Sequence, residues 1–581
     1  MKKSRSTGVR LTLTVVAIFA VVVVFTGRLV DLQVVQSASL TKLAIKNRTQ
    51  PVITPGVRGS IVDANGVVLA DSVNRFDITV SPKTIILADA KTPGIMDKQL
   101  AKIAKLTGNQ TDALRAVIEA NPKSDFAYLA KSQTLAVFNA VQKLKVVGVY
   151  SQPVASRTYP NGAIAGNLIG FMGTDGAQAG MEMAYNSCLA GTNGTSTYEK
   201  SQDGTRIPGS TITQKAARNG GTLQLTIDND LQYEVQQAIH AQRLVLGAPW
   251  ATGVVERISD GHLLAVADDP TVDPNDVGAT PAIARGSFAF TQPYEPGSTF
   301  KGMSAAALID AGAITPTTQI TVPAIYTDGL PKGASIRDSF YHGTLHYTTA
   351  GVLENSSNIG ISVLSQSLSA AKRHDYMAKF GIGSKTAAIF PGQATGVLHP
   401  VSQWDPITTR AVEFGQGVTA TSVQVAQLYA TLGNHGVREP STLVEGCKQA
   451  DGTVIDQQSV KPVRVVAQKT ADEVVGMLET VVTGGPIGSL LRIPGYRIAA
   501  KTGTAQVATP GGGYGKNYII SVAGMAPAEN PEYVVVVTFG PTTLNTSAGA
   551  APAFKNVMTD VLKRYRVAPS TQPAPFVQTT W

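Results

Sequence analysis

Residues 11–27, LTLTVVAIFAVVVVFTG, are 17 consecutive positions without a charge. A run of that length lies near the lower limit for crossing the hydrocarbon core of a bilayer. Arg10 and Arg28 bound it and can extend to the two interfaces. Lys2, Lys3, Arg5 and Arg10 precede it, so the positive-inside rule keeps the N-terminus in the cytoplasm and everything after the run outside. The alternative is a cleaved signal peptide. Its apolar region is shorter, about 7–15 residues, and ends at small residues. Here RLVDLQVV continues the run as an amphipathic stretch, and Ser37-Ala38-Ser39 is a weak cleavage site. The reading is a cytoplasmic tail over 1–10 and a transmembrane anchor over 11–30. No later segment is apolar enough to span, so the remainder forms one extracytoplasmic block on a single-pass anchor in the cell membrane.

The net charge of +9 belongs to the same end of the chain. Residues 1–50 carry +7 and the remaining 531 only +2, so the body offers no basic groove and no nucleic-acid partner is expected. Apolar residues make up 43% and charged residues 15%, which is globular composition and excludes wholesale disorder. Two cysteines exclude a disulfide scaffold, and spacing alone leaves open whether Cys188 and Cys447 pair. Among the seven histidines none forms H-E-x-x-H; His342 and His346 flank a glycine turn without a third ligand nearby. Gly415-Gln416-Gly417 with Ala420 imitates a dinucleotide fingerprint but follows no clear strand. No metal and no organic cofactor are expected.

At about 100–200 residues per domain, 581 residues imply several domains. After a helical stalk over 28–50, residues 51–220 mix short β-type runs such as FDITVSP with helical stretches around 98–120 and 132–145. From GTLQLTID onward the pattern changes. GHLLAVA, YRIAAKTGTA, YIISVAGMA and YVVVVTFG read as strands, and KGMSAAALIDAG, VQVAQLYATLGNH and ADEVVGMLETVVT as helices. The main boundary is placed near 210–225. This gives a stalk and pedestal over 31–220, a second large domain over 221–566, and a loose Pro- and Thr-rich tail over 567–581.

Three short motifs stand out in the second block: Ser298-Thr299-Phe300-Lys301, Ser356-Ser357-Asn358 and Lys501-Thr502-Gly503, followed by Thr504. Each alone reads better as a surface residue or a helix cap. Their order and contexts carry the weight. Pro296-Gly297 ends a loop and Ser298 opens a helical pattern, at the positive end of a helix dipole. Spacing i, i+3 puts Lys301 over Ser298. A serine needs an adjacent base to become a nucleophile, and a lysine serves if burial or nearby positive charge lowers its pKa; Lys501 is a candidate for that charge. Lys501, Thr502 and Thr504 lie on a strand leading to the glycine-rich GGGYG and can face a substrate carboxylate. Gly503 is expected to let a ligand backbone approach. The backbone N–H groups of Ser298 and Thr504 can form an oxyanion hole. Ser357 and Thr299 are read as packing or spacing residues.

This set resembles the signature of penicillin-binding proteins and active-site serine β-lactamases; where that signature has S-D-N this chain has S-S-N, which is similar to the looser S-x-N of the transpeptidases. Arg58-Gly59-Ser60-Ile61-Val62-Asp63, Arg157-Thr158-Tyr159-Pro160-Asn161-Gly162, Gly180-Met181-Glu182, Tyr294-Glu295-Pro296-Gly297 and Phe414-Gly415-Gln416-Gly417 extend the resemblance to the monofunctional class B penicillin-binding proteins, over roughly residues 28–560. The resemblance implies an α+β, α/β multidomain protein. It has a transmembrane helix, a mixed α+β dimerisation-type pedestal, and a serine β-lactamase-like domain with a central antiparallel sheet, flanking helices and an all-helical subdomain. It implies a peptidoglycan DD-transpeptidase. Ser298 would attack the carbonyl between the last two D-alanines of a stem peptide, and Lys301 would take its proton. Ser356 would relay a proton to the leaving amine, Asn358 would hold the donor amide, and Lys501, Thr502 and Thr504 would bind the terminal carboxylate. β-Lactams would acylate Ser298. Implied partners are the membrane, stem peptides, a SEDS-type glycosyltransferase and division proteins.

Three alternatives stand beside this reading. A class A β-lactamase would need a deacylating glutamate, usually in E-x-x-L-N, and none lies between the second and third motifs. A β-lactam sensor would need more membrane spans or a cytoplasmic module. A catalytically silent scaffold would not need three intact motifs. Within the resemblance, the length and stalk favour the division type over the elongation type.

Overall fold

The computed structural model describes residues 6–173, 175–199, 201, 207–457, 459–509 and 513–581. The basic residues Lys2, Lys3 and Arg5, and Gly511 and Gly512 of the glycine-rich turn, lie outside the described residues. Two compact units are present: residues 1–57 with 190–220, and residues 58–189 with 221–581.

In the first unit a single helix, Ser6–Val30, contains the apolar run. Its valines, leucines and phenylalanines stand exposed, Phe19 at 68%, and no described residue covers the side chains that hydrocarbon would cover. Twenty-five residues rise about 37 Å, enough to cross the bilayer core. Thr12, Thr14 and Thr26 return their hydroxyls to carbonyls four residues back, which leaves no side-chain donor unpaired in lipid. Arg28 pairs with Asp31 at 2.5 Å where the helix leaves the run. Helix Ser37–Arg48 follows, then strand Thr49–Thr54, which pairs antiparallel with Gly194–Glu199; Ile212–Lys215 completes a three-stranded sheet.

The second unit holds four hydrophobic clusters among the described residues. In its N-terminal part the long strand Val68–Val80 pairs along its length with Val149–Thr158 and at its end with Ala127–Gln133. The helical stretch expected over 98–120 divides into Ile95–Thr107 and Thr111–Glu119, because Gly108 ends the first helix in the left-handed region. Leu100, Ile103, Leu114 and Ile118 of these helices bury against Ile78 and Val80 of the strand.

The C-terminal part is built on a five-stranded antiparallel sheet, in the order Leu263–Asp269, Trp250–Arg257, Tyr533–Thr542, Tyr514–Ala526, Ala499–Ala508. The apolar run YVVVVTFG shows why both faces are covered. Val535 and Val537 enter one core with helices Asn229–Leu246 and Ala551–Arg564. Val534 and Val536 point the other way, into the core of helices Lys301–Asp310, Ser422–Gly433 and Gln468–Thr483.

Strand Thr222–Leu225 runs parallel to Ile61–Val62 on one side and antiparallel to Val444–Lys448 on the other. One sheet thus takes strands from both sides of residue 220. Beside it Cys188 and Cys447 form a disulfide, 259 residues apart in sequence. Residues 567–581, expected to be loose, are docked. Ser570 bonds Gly495 and Arg497, and the backbone of Thr348 donates to the Thr579 carbonyl at 3.0 Å. Trp581 donates its indole N–H to the Tyr347 carbonyl at 3.1 Å. Composition marks a Pro-rich segment as loose, but backbone pairing with residues 346–348 holds this one.

Candidate active site

The chain enters the site through Tyr294–Gly297. Gly297 has φ +57°, and its backbone N–H donates to Gly415 of the F-G-Q-G stretch at 3.0 Å. Glu295 accepts from Gly417 N–H at 2.8 Å and from the Tyr514 hydroxyl at 3.2 Å. These contacts fix the turn that presents Ser298 in a short 3₁₀ segment, Gly297–Phe300, continuous with helix Lys301–Asp310. Thr299 is fully buried, with its hydroxyl on the Pro296 carbonyl and its own carbonyl accepting from Tyr429. Half-buried Ser298 lines a cleft of about 430 Å³ with Ser356, Asn358, Thr502 and Thr504.

Lys301 is fully buried, and its Nζ reaches the Ser356 carbonyl at 2.5 Å, Asn358 Oδ1 at 2.8 Å and Ser356 Oγ at 3.2 Å. Lys501 is equally buried and reaches the same Ser356 Oγ from the other side at 2.9 Å. One hydroxyl therefore sits between two lysine nitrogens. Burial pushes the Lys301 ammonium well below the usual lysine range, and the charge of Lys501 pushes it further; Asp338 opposes both. Burial brings Lys501 down to about 7. Ser356 has φ +58°, a strained conformation for a residue with a side chain, of the kind held in place at functional sites.

Asp338 anchors the residues that follow Ser356, and the sequence motifs gave no sign of it. Its carboxylate is fully buried, accepting from Ser357 Oγ at 2.7 Å and from the Ile359 N–H at 3.0 Å. Ser357 in turn caps helix Asn358–Leu364 through the Gly360 N–H. Replacing Asp338 by alanine leaves a buried hydroxyl and N–H without an acceptor, which costs roughly 1–3 kcal/mol for each. The expected result is a lower melting midpoint and β-lactam acylation slowed by about tenfold or more. A variant matching wild type in both would show that Asp338 does not hold the loop.

Thr502 and Thr504 face the cleft, whereas Lys501 and Gly503 alternate to the opposite side of the strand. Lys501 is thus not a cleft wall; it arrives from beneath through Ser356. The expectation for Gly503 needs correction. A Cβ there would strike Ser521 Oγ at 2.4 Å and the Pro296 carbonyl at 2.8 Å, so the bare side admits the Ser298 turn rather than a ligand. Gly297 lies against Thr504, with the Thr504 carbonyl 3.1 Å from where a Gly297 Cβ would stand. The Ser298 turn and the Thr504 backbone are therefore neighbours. His342 and His346 do not converge. His342 Nε2 is 3.2 Å from Asp338, and His346 stacks edge-on against Trp581.

Away from the cleft, three further motifs meet at one residue. Fully buried Glu182 accepts from Arg58 Nε through Oε2 and from Arg157 Nε through Oε1, each at 2.6 Å. Arg157 also donates to the Gly59 carbonyl. The buried carboxylate is compensated by two guanidinium groups, which is what its burial requires.

Two family models match the chain: the penicillin binding protein transpeptidase domain over residues 251–559, and the penicillin-binding protein dimerisation domain over residues 53–225. Penicillin-binding protein PbpB of Mycolicibacterium smegmatis is 34% identical over 592 residues, covering 96% of this chain and 91% of the relative. Peptidoglycan D,D-transpeptidase FtsI of Escherichia coli is 31% identical over 550 residues, covering 94% and 90%. Among solved structures, penicillin-binding protein 3 of Mycobacterium tuberculosis complexed with ampicillin superposes with a TM-score of 0.71 at 29% identity, covering 91% of this chain and all of that one.

Proposed function

The chain belongs to the class B penicillin-binding proteins of the division type, and on that premise we propose that it is a membrane-anchored peptidoglycan DD-transpeptidase whose nucleophile is Ser298. The observation that carries the assignment of roles is the Ser356 hydroxyl held between Lys301 and Lys501 beside Ser298. Neutral Lys301 takes the Ser298 proton as Oγ bonds the carbonyl carbon of the penultimate D-alanine. The tetrahedral oxyanion lies against the N–H groups of Ser298 and Thr504. As the C–N bond breaks, the Ser356 hydroxyl gives its proton to the departing amine and is reprotonated from a lysine ammonium. Terminal D-alanine leaves. The amine of a second stem peptide attacks the ester, loses its proton along the same relay, and returns Ser298 with its hydroxyl. Asn358 holds the donor amide, and Thr502 and Thr504, with the charge of Lys501 beneath, receive the donor carboxylate.

β-Lactams present a strained amide and a carboxylate in the same arrangement and acylate the same serine. Purified full-length protein given a pentapeptide donor and an amine acceptor is expected to release D-alanine and form the transfer product. Hydrolysis without transfer at any acceptor concentration would contradict the transpeptidase assignment.

We further propose the topology of a short cytoplasmic N-terminus and an extracytoplasmic catalytic unit. The helix Ser6–Val30 and the Cys188–Cys447 disulfide, which persists in oxidising compartments, support it. The uncovered apolar faces of the anchor support binding to a membrane partner of the SEDS polymerase type. Co-purification should survive Ser298→Ala and fail when residues 1–50 are replaced; retention after that replacement would exclude the anchor as the docking element.

A further inference from the structure

The cleft that holds Ser298 continues past Ser356 towards Asn355, Glu354, Pro486 and Ile487. Every other side chain lining it is uncharged; among the described residues Glu354 supplies its one ionisable group. Glu354 ends helix Thr349–Glu354, two residues before Ser356 and so within about 7 Å of it along the chain. Its carboxylate is half-buried and forms no ion pair among the described residues. Its contacts are a long one from Asn355 Nδ2 at 3.4 Å and a hydrogen bond from Thr579 of the docked tail. The tail is seated closely there, since a Cβ on Gly351 would stand 1.8 Å from the Thr579 carbonyl.

The opposite wall makes room for this carboxylate. Gly484 has φ −123°, a conformation any residue adopts, so its backbone gives no reason for a glycine. What a side chain there would meet is Glu354 Oε2, at 2.6 Å. A lone carboxylate is thus given space, a hydroxyl and an open cleft, but no cation from the protein. The chemistry it fits is a ligand with a positive charge and N–H donors.

The transpeptidase reading, on which this inference rests, says where such a ligand comes from. The departing amine leaves past Ser356. By microscopic reversibility the entering amine arrives by the same path, and near neutral pH it arrives as an ammonium. We propose that Glu354 is the acceptor-binding residue, and that its carboxylate receives the ammonium of the second stem peptide beside Ser356. The ammonium gives one proton to the Ser356 relay, the freed amine bonds the ester carbonyl carbon as the C–Oγ bond breaks, the nitrogen's second proton passes along the relay to Ser298 Oγ, and the first is released to solvent. Burial keeps the Glu354 carboxyl above its usual range, so it binds the acceptor most strongly when fully ionised, towards higher pH.

The test uses purified full-length protein and a thioester analogue of the donor, with two acceptors in competition. One is D-alanine, an ammonium near neutral pH. The other is hydroxylamine, which is uncharged there. The ratio of the two products reads only how the acyl-enzyme is partitioned, not how fast it forms. Glu354→Gln is expected to lower the D-alanine to hydroxylamine ratio by about tenfold, the loss of one charge-assisted hydrogen bond, and Glu354→Asp to restore part of it. Gly484→Ala, which displaces the carboxylate from the other side, is expected to lower the ratio in the same direction and covers the case of a misfolded glutamate variant. Unchanged ratios in both variants, or equal losses with both acceptors, would overturn the proposal and leave Glu354 a structural residue. A wild-type protein that forms no acyl-enzyme with the thioester would overturn the transpeptidase reading, and this inference with it.

Discussion

Turnover of a donor peptide by Ser298→Ala is expected to fall by at least about 10⁴-fold, because the proposed acyl intermediate forms on the Ser298 hydroxyl. The half-buried Ser298 is held at the cleft by contacts that do not involve its own hydroxyl: Gly297 on Gly415, Glu295 on Gly417, Thr299 on Pro296. Removing Oγ therefore leaves the fold and the cleft threonines Thr502 and Thr504 in place. The variant should bind donor and β-lactam reversibly, with a melting midpoint close to wild type and no covalent product. Binding without acylation separates loss of chemistry from loss of structure. Residual turnover above about 10⁻⁴ of wild type would mean that another nucleophile is used.

Lys301→Ala is the second large effect, with acylation slowed roughly 10²–10⁴-fold, the range ascribed to a positioned general base. The same assignment fixes the sign of a pH dependence. A base must be neutral to accept the Ser298 proton. Burial, first, and the neighbouring Lys501 charge, second, lower the pKa of Lys301 well below that of a free lysine, which favours the neutral form the base needs. The acylation rate should rise with pH through that lowered pKa and then level. Substituting Lys501 by alanine removes the repelling charge, raises the pKa of Lys301, and moves the rising limb to higher pH. It also lowers the plateau, since Thr502 and Thr504 lose the charge beneath them. A limb that stays fixed, or moves down, in Lys501→Ala would show that the two lysines do not communicate through Ser356. Stopped-flow acylation by a chromogenic cephalosporin across pH measures both quantities.

How far a sequence alone carries such a site depends on whether its residues form a local pattern. The S-x-x-K spacing places Ser298 and Lys301 on one turn, a local pattern that was legible. The strand carrying Lys501, Thr502 and Thr504 was legible too, but Lys501 was grouped with the two threonines, whereas strand alternation turns it to the other side. The 17-residue apolar run and the alternating YVVVVTFG strand were legible for the same reason. Asp338 was not. It is a lone aspartate in a loop, and its importance arises only when Ser357 and Ile359 are folded onto it. Gly503 was misread because a glycine in a strand announces a close approach without saying by what; here it is the protein's own Ser298 turn. The tail was misread because Pro-rich composition reports weak local structure and is silent on long-range pairing with residues 346–348. Arg58, Arg157 and Glu182 were marked by resemblance, while their shared ion-pair cluster needed the fold that brings them together.

The most direct measurement of the central claim is intact-mass analysis of the full-length protein after incubation with penicillin, followed by mapping of the modified peptide. One adduct per chain is expected, stable for minutes or longer and located on the peptide containing Ser298. No adduct on folded protein, or an adduct on any other residue, would contradict it.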